Sequence, residues 1–565
     1  MLHFAQTADA IASTSGKLAK VALLAAYLRS LSGDAALAAV FFSGRPFPAY
    51  QEGTLQVGGA LLWRVIAELS GKSEGELTEI YRRHGDAGAV AEEALPARQE
   101  SALTLAAVRD AFRRIVEVRG PDAKGQLLSD LLGRATPPEA KYIVKIISGD
   151  LRIGLKESLV EESIATAFDA PLDQVQRANM LLGDLGETLV LAEAGSLASA
   201  RLRFFHPIDF MLASPVEAAK KALSYFSDAA IEDKYDGIRA QAHIRSGDAR
   251  LFSRTRDEIT ESFPELLPAL ASLPGDAILD GEIVAWMFGP SGDAIGRALP
   301  FSTLQQRLGR KKVSARLLRD VPAAYLVFDI LHCNGEILFE RPLRERRRVL
   351  DELLALPRDP AAHRAPGQSN FIFDDGDRET RGLILRAPVA TAGNPEDLDR
   401  LFAAARARGN EGLMIKDLDS LYTPGRRGKS WLKMKRELAT LDVVVTAVEY
   451  GHGKRIGVLS DYTFAVWDGD RLVNIGKAYS GLSNAEIAEM TKWFLDHVTR
   501  DEGLRLRVEP EIVLEVAFNN MMRSTRHESG YALRFPRIVR IRIDKRAQDA
   551  DRIERVKEIF EQQEG

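Results

Sequence analysis

The sequence predicts a multidomain chain: an all-α N-terminal domain, a mixed α+β domain and a small C-terminal β-barrel, with boundaries at residues 1–203, 204–436 and 437–565. Three observations carry this expectation. At 565 residues the chain is too long for one hydrophobic core, and length alone suggests roughly three or four domains. Apolar residues recur at helical spacing up to about residue 200, then gather in short runs between turn residues. Near Leu438 the character changes again, to a series of strand-like runs.

Taken in order, the N-terminus carries Asp9 and Lys17 ahead of its apolar stretch and has no arginine before Arg29. It reads as neither a secretory signal nor a transit peptide, and Val21–Leu31 suits an amphipathic helix. Ser101–Val118 and Pro138–Ile147 predict further helices, and Gly120-Pro121-Asp122 marks a break. Beyond Phe204, Ala240–Ile244, Ala277–Val284, Ala324–Ile330 and Gly412–Ile415 predict strands. Phe288–Pro300 and Pro357–Gln368, rich in Gly, Pro, Ala and Asp, predict surface loops. Val443–Val448, Tyr462–Trp467, Leu472–Ile475 and Ile512–Ala517 predict strands, interrupted by a helical interval at Asn484–Val498. About five strands and one helix in this last part suit a barrel of the OB type.

Composition sets limits. Hydrophobic residues at 45% and charged residues at 28% are the balance of a globular protein. No apolar run reaches the ~18 residues of a membrane span. The single Cys333 can form neither an internal disulfide nor a four-cysteine zinc site, and it reads as a small buried residue in a reducing cytoplasm. A net charge of -4 does not announce a nucleic-acid partner, but distribution matters more than the sum. From Met522 to Arg546 there are eight Lys/Arg against two Asp/Glu, interleaved with Ile538, Ile541 and Ile543.

The sharpest chemical signal is Lys234-Tyr235-Asp236-Gly237-Ile238-Arg239, preceded by Glu232 and Asp233. Four specified residues in six arise by chance in on the order of one window in 10⁵. A lysine can serve as a covalent nucleophile once it sheds its proton, which burial or neighbouring cations favour. Alone, Lys234 could equally be a solvated lysine beside a turn. It has company, in order: Phe252-Ser253-Arg254-Thr255, Leu279-Asp280-Gly281-Glu282, Tyr325-Leu326-Val327-Phe328-Asp329, Glu411-Gly412-Leu413-Met414-Ile415-Lys416 and Ser430-Trp431-Leu432-Lys433-Met434-Lys435. Lys433 and Lys435 lie two apart on an expected strand, so both point to one face. Cations aimed at a reacting phosphate stabilise its transition state.

This succession resembles the covalent nucleotidyltransferase superfamily of DNA ligases, RNA ligases and mRNA capping enzymes, over residues 204–545. The resemblance implies an adenylyltransferase domain of α+β, ATP-grasp-like fold, with Lys234 as the nucleophile that accepts AMP from ATP. It implies adenine recognition by Glu232, stacking on Phe328, and ribose or phosphate contacts from Arg239 and Arg254. Lys433 and Lys435 would meet the α-phosphate, with further nucleotide contacts at Lys416 and Arg427. Glu282 and Glu411, expected at strand ends or turns, would hold Mg²⁺, or Mn²⁺ in its place.

Two features, one in the C-terminal part and one in the helical N-terminal part, favour an ATP-dependent DNA ligase within the superfamily. Arg534-Phe535-Pro536-Arg537 through Lys545 resembles that family's C-terminal motif, and Arg523-Ser524-Thr525-Arg526 its barrel domain. Gly149-Asp150-Leu151-Arg152-Ile153-Gly154-Leu155-Lys156-Glu157 is similar to the helical DNA-binding domain of the larger members. DNA contacts are therefore implied at Arg152, Lys156, Arg523 and Arg537, in a monomer that encircles nicked duplex DNA. The linker His206–Ala213 departs from the family, with Asp209-Phe210 where a basic residue and proline are usual. An RNA ligase or guanylyltransferase is the alternative enzyme, and an inactive DNA-end-binding scaffold the alternative of another class. The Ala/Arg-rich, lysine-poor composition suits a GC-rich bacterial genome, hence a cytoplasmic, nucleoid-associated protein.

Overall fold

The computed structural model describes residues 1–565 except 32, 49, 52–54, 99–101, 289–295, 308–312, 356–382, 436–438, 453–454 and 565. Chain contacts divide it into two compact units: Met1–Arg203 with Ala439–Ile559, and Phe204–Leu438 with Phe560–Gly565.

The first unit begins with helices, from Leu2–Ser13 to Leu185–Glu193. Their limits follow from local chemistry. In Leu105–Glu117 the Thr104 hydroxyl accepts from the Ala107 N–H at 3.0 Å, and Leu105, Val108, Phe112 and Ile115 are buried along one stripe. Pro137–Ile147 starts with proline and a reciprocal cap between Thr136 and Glu139. The helix expected at Val21–Leu31 spans Lys17–Ser30. An aromatic core forms where Phe4 packs on Phe42 with ring centres 4.3 Å apart, and on Tyr142 at 6.2 Å. Among the described residues no helix is long and apolar enough to cross a membrane.

The same unit contains the strand-rich C-terminal part. Ala439–Tyr450 is a twelve-residue strand that pairs with Leu459–Asp468, Arg505–Val508 and Val513–Phe518, and so joins both halves of the sheet. Helix Asn484–Asp496 starts at a Ser483/Glu486 capping box. More strands are present than expected. Val498–Asp501 exposes all four of its residues, so no apolar alternation announces it. The terminal helix Ile553–Glu564, with Ile553, Val556 and Ile559 buried, was not anticipated either. Here the helical part and the strand-rich part touch: Arg82 donates through Nε to the Gly503 carbonyl at 3.1 Å and stacks over Tyr450.

The second unit places the chemistry. Its strands, in chain order, are β1 (Leu212–Val216), β2 (Ala229–Lys234), β3 (Ile238–Arg245), β4 (Asp248–Ser253), β5 (Ala277–Phe288), β6 (Gly296–Ala298), β7 (Ala323–Cys333), β8 (Glu336–Ile337), β9 (Ile384–Arg386), β10 (Gly412–Asp417) and β11 (Arg427–Met434). One sheet runs β1-β11-β10-β2 and the other β4-β3-β5-β7-β8, with β6 on β5 and β9 on β7. Phe288–Pro300 is not all loop, because Gly296–Ala298 returns as a strand against Trp286–Phe288. Residues 289–295 and the loop expected at Pro357–Gln368 lie outside the described residues. Cys333 is half-buried at the end of β7 rather than buried, and burial raises its thiol pKa.

Candidate active site

β2 and β10 set the site by register. Lys234 lies opposite Gly412, Glu232 opposite Met414 and Ala230 opposite Lys416. On the other side of β10, Met414 faces Lys433 and Lys416 faces Trp431. Directly paired residues share a sheet face, so Glu232, Lys234, Met414, Lys416, Trp431 and Lys433 line one surface. The alternate residues Ile231, Leu413, Ile415, Leu432 and Met434 turn the other way and pack on Leu398 and Phe402 of helix Pro395–Ala407. This apolar underside fixes which face the lysines occupy.

Two glycines permit the close approach of the strands. A Cβ on Gly237 would lie 2.3 Å from the Ile283 carbonyl oxygen. At Gly412 the backbone has φ +144°, and a Cβ would meet the Met434 carbonyl at 2.2 Å.

Lys234 is ion-paired. Glu411 Oε2 accepts from Lys234 Nζ and also contacts Lys435 Nζ. Burial pushes the Glu411 carboxyl upward, but the two ammonium groups outweigh it and hold it down at about 2. Burial lowers the pKa of Lys435, as does Lys234, against the pull of Glu411. Lys433 is lowered by burial and then by Lys234, Arg427 and Arg254. β11 ends at Met434, so Lys435 stands just beyond the strand, yet the charge of Lys234 bears on both lysines. Arg254 and Arg427 are exposed and act on this cluster through charge.

Glu282 is not at a strand end but inside β5, opposite Arg239. Burial raises its carboxyl to about 7, with Lys234 and Arg239 opposing and Glu411 and Asp236 reinforcing. Among the described residues no cluster of three or more His, Cys, Asp or Glu could hold a metal alone. Two mutually interacting carboxylates suit a cation that also takes phosphate oxygens and water, as Mg²⁺ does.

Arg239 is locked in place. Its Nη2 and Nε donate to the two oxygens of Asp280 at 2.7 and 3.1 Å, and Nη1 donates to the Met211 carbonyl at 2.6 Å. The Tyr422 hydroxyl donates to Asp280 Oδ2 at 2.7 Å and accepts from the Met211 N–H at 3.1 Å. The guanidinium sits 5.0 Å from the Phe210 ring centre and 5.5 Å from those of Phe328 and Trp431. Phe210, the departure in the linker, is thus one wall of this box. Below it, fully buried Arg346 makes a two-pronged pair with Asp329 at 2.8 and 2.9 Å and donates to the Ser420 carbonyl at 3.0 Å. Breaking such a buried pair costs roughly 3–5 kcal/mol.

At the far end of β10, Lys416 does not join the Lys234 cluster. Its ammonium donates to Glu232 Oε2 at 2.5 Å and lies 3.9 Å from the Phe328 ring centre. Asp280, Tyr422, Trp431 and Arg346 were given no role by sequence reasoning, since each works through partners distant in the chain. The remaining expected residues belong to the other unit. Arg152 Nη1 donates to the Gly85 carbonyl at 2.6 Å, and Lys156 precedes helix Glu157–Ala167. Arg523 lies over Tyr531 at 4.6 Å, and Arg537 is exposed on strand Arg537–Ile541.

A lysine at a strand end, held by an acid it shares with a second lysine and set on the sheet face that also carries Glu232, Lys416 and Trp431, fits the site of a nucleotidyltransferase. Comparisons narrow the class. Residues 1–165, 210–435 and 455–545 match the family models described as DNA ligase N terminus, ATP dependent DNA ligase domain and ATP dependent DNA ligase C terminal region. A "Probable DNA ligase" of Koribacter versatilis (strain Ellin345) is 57% identical, over 100% of this chain and 97% of that protein. A "DNA ligase" of Methanopyrus kandleri (strain AV19) is 36% identical, over 99% and 98%. A solved structure named Pmar-Lig_PreS3 has a TM-score of 0.61 at 17% identity, covering 95% of this chain and 99% of that one, a likeness of fold. The chain belongs to the ATP-dependent DNA ligase family.

Proposed function

We propose that the protein seals nicks in duplex DNA with ATP, through an AMP carried on Lys234. The supporting observation is the shared carboxylate: Glu411 holds the nucleophile beside the lysines that would receive a triphosphate. In the first step the Lys234 amine, having lost a proton to solvent, attacks the α-phosphorus of ATP. A P–N bond forms, the bond to pyrophosphate breaks, and Lys433 and Lys435 stabilise the charge that develops. Glu232, Phe328 and Met414 would receive the base, and Arg239, aimed by Asp280 and Tyr422, the ribose or phosphate. In the second step an oxygen of the DNA 5′-phosphate displaces the lysine, which regains its proton. In the third, the neighbouring 3′-hydroxyl gives its proton to solvent and attacks the 5′-phosphorus, the bond to AMP breaks, and AMP leaves. Glu282 and Glu411 would hold Mg²⁺ or Mn²⁺, which when bound neutralises phosphate charge.

Residues 1–203 and 437–565 form the helical and OB-type domains that grip the duplex, with Arg152, Lys156, Arg523 and Arg537 on phosphates and one chain closing around the DNA in the cytoplasm. Gel assays on a 5′-phosphorylated nick test this. Sealing requires ATP and is lost in Lys234→Ala, and affinity falls roughly 10³-fold between 50 and 200 mM salt. A wild type that never joins the strands, or joins them equally without Lys234, overturns the proposal.

A further inference from the structure

Lys416 is a motif lysine to which the three steps above give no task. It is sealed in, paired through Nζ with Glu232 Oε2, and flanked by the Phe328 and Trp431 rings at 3.9 and 4.4 Å. The second oxygen of that carboxylate, Glu232 Oε1, is buried and has no hydrogen-bond partner. A buried acceptor left unpaired is costly, and one at the proposed base site calls for a donor from the ligand.

We propose that Lys416 sets the choice of purine by orienting Glu232. The assignment rests on the reading that the nucleotide base lies at Glu232. An ammonium only donates, so it fixes one carboxylate oxygen and leaves the other as a pure acceptor. The 6-amino group of adenine supplies the donor. A 6-oxo purine would set its own acceptor against the carboxylate, with no proton between them. The aromatic walls pin the ammonium, so the carboxylate cannot turn away. Lys416 is thus a positioning residue: it acts on the base through Glu232.

The donor-only character of Lys416 makes a test that a merely structural role would not pass. In Glu232→Gln, Lys416 can pair only with the amide oxygen, which turns the amide N–H₂ toward the base. The preference should then invert, from ATP to ITP. In the double variant Glu232→Gln with Lys416→Met the amide is free to flip, and the preference should vanish. Initial rates of nucleotidylation, read by intact mass at equal ATP or ITP, measure this. The wild type is expected to favour ATP by roughly 10²-fold or more, Glu232→Gln to favour ITP, and the double variant to lie within about threefold of parity. A Glu232→Gln that still favours ATP, or matches the double variant, overturns the assignment. Melting curves accompany each protein. If Glu232→Gln does not fold, Lys416→Met alone decides: the ATP:ITP ratio must fall at least about tenfold, and an unchanged ratio overturns the role. A wild type labelled by neither nucleotide overturns the reading of the site, and the assignment with it.

Discussion

Two lysine–carboxylate pairs sit at opposite ends of β10, and they are built differently. At one end Glu411, 15% exposed, is shared between Lys234 at 21% and Lys435 at 26%. At the other, Glu232 at 3% holds Lys416 at 1%, one acid to one base. The first pair is partly exposed and over-subscribed, so an incoming polyanion can compete for the lysines. The second is sealed by aromatic rings and stays as it is. One strand therefore carries a contact made to be exchanged and a contact made to persist. In the function proposed above, the difference separates reaction from recognition within a few residues.

Breaking the open pair should have the larger effect on chemistry. Glu411→Gln should lower the rate of Lys234 adenylation by about 10²-fold or more while the melting temperature stays nearly unchanged, because a partly exposed pair adds only about 1 kcal/mol or less. Stopped adenylation time courses and calorimetry on the same preparation check both halves. A large fall in melting temperature would place Glu411 among the structural pairs instead.

A pH profile sharpens the contrast next. Glu411 is ionised from about pH 2 upward, but Glu282, raised to about 7, holds its proton below that pH and gains charge above it. Adenylation should therefore carry a limb below about 7 that rises with pH by up to about tenfold per unit more steeply than the profile above it. Glu282→Gln should give a low rate without this limb. A profile in the wild type that is level from pH 5 to 8 would contradict the assignment of Glu282 to the charge of the site.

The smallest effect is expected where a persistent contact supports a reacting one. Tyr422→Phe removes one donor to Asp280 and leaves the ring in place. One neutral hydrogen bond to a charged group is worth roughly 1.5–3 kcal/mol at most, and Arg239 keeps its two other bonds to Asp280, so a loss of about tenfold in kcat/KM for ATP is expected. Rates equal to the wild type would remove Tyr422 from the account.

Much of the site was legible because the chemistry demands particular residue types in short windows. Lys234, Glu282, Glu411, Lys433 and Lys435 all stand in such windows, and the structure brings their charges within reach of one another. What was not legible depends on distant pairing. Tyr422 meets Asp280 from 142 positions away and Arg346 meets Asp329 from 17, and no periodicity marks either contact. Lys416 stood in a legible window, but its partner did not: only the β2–β10 register shows that it serves Glu232. The strand regions of the α+β domain were visible as apolar runs, whereas Gly296–Ala298 was hidden by its Gly/Pro-rich surroundings and Val498–Asp501 by full exposure.

Intact mass after incubation with ATP and Mg²⁺, for the wild type and Lys234→Ala, tests the central claim most directly. A gain of one AMP by the wild type alone, reversed by pyrophosphate, is the expected result. A wild type still unlabelled after stripping with pyrophosphate, or a Lys234→Ala protein that gains AMP as readily, would contradict Lys234 as the residue that carries the nucleotide.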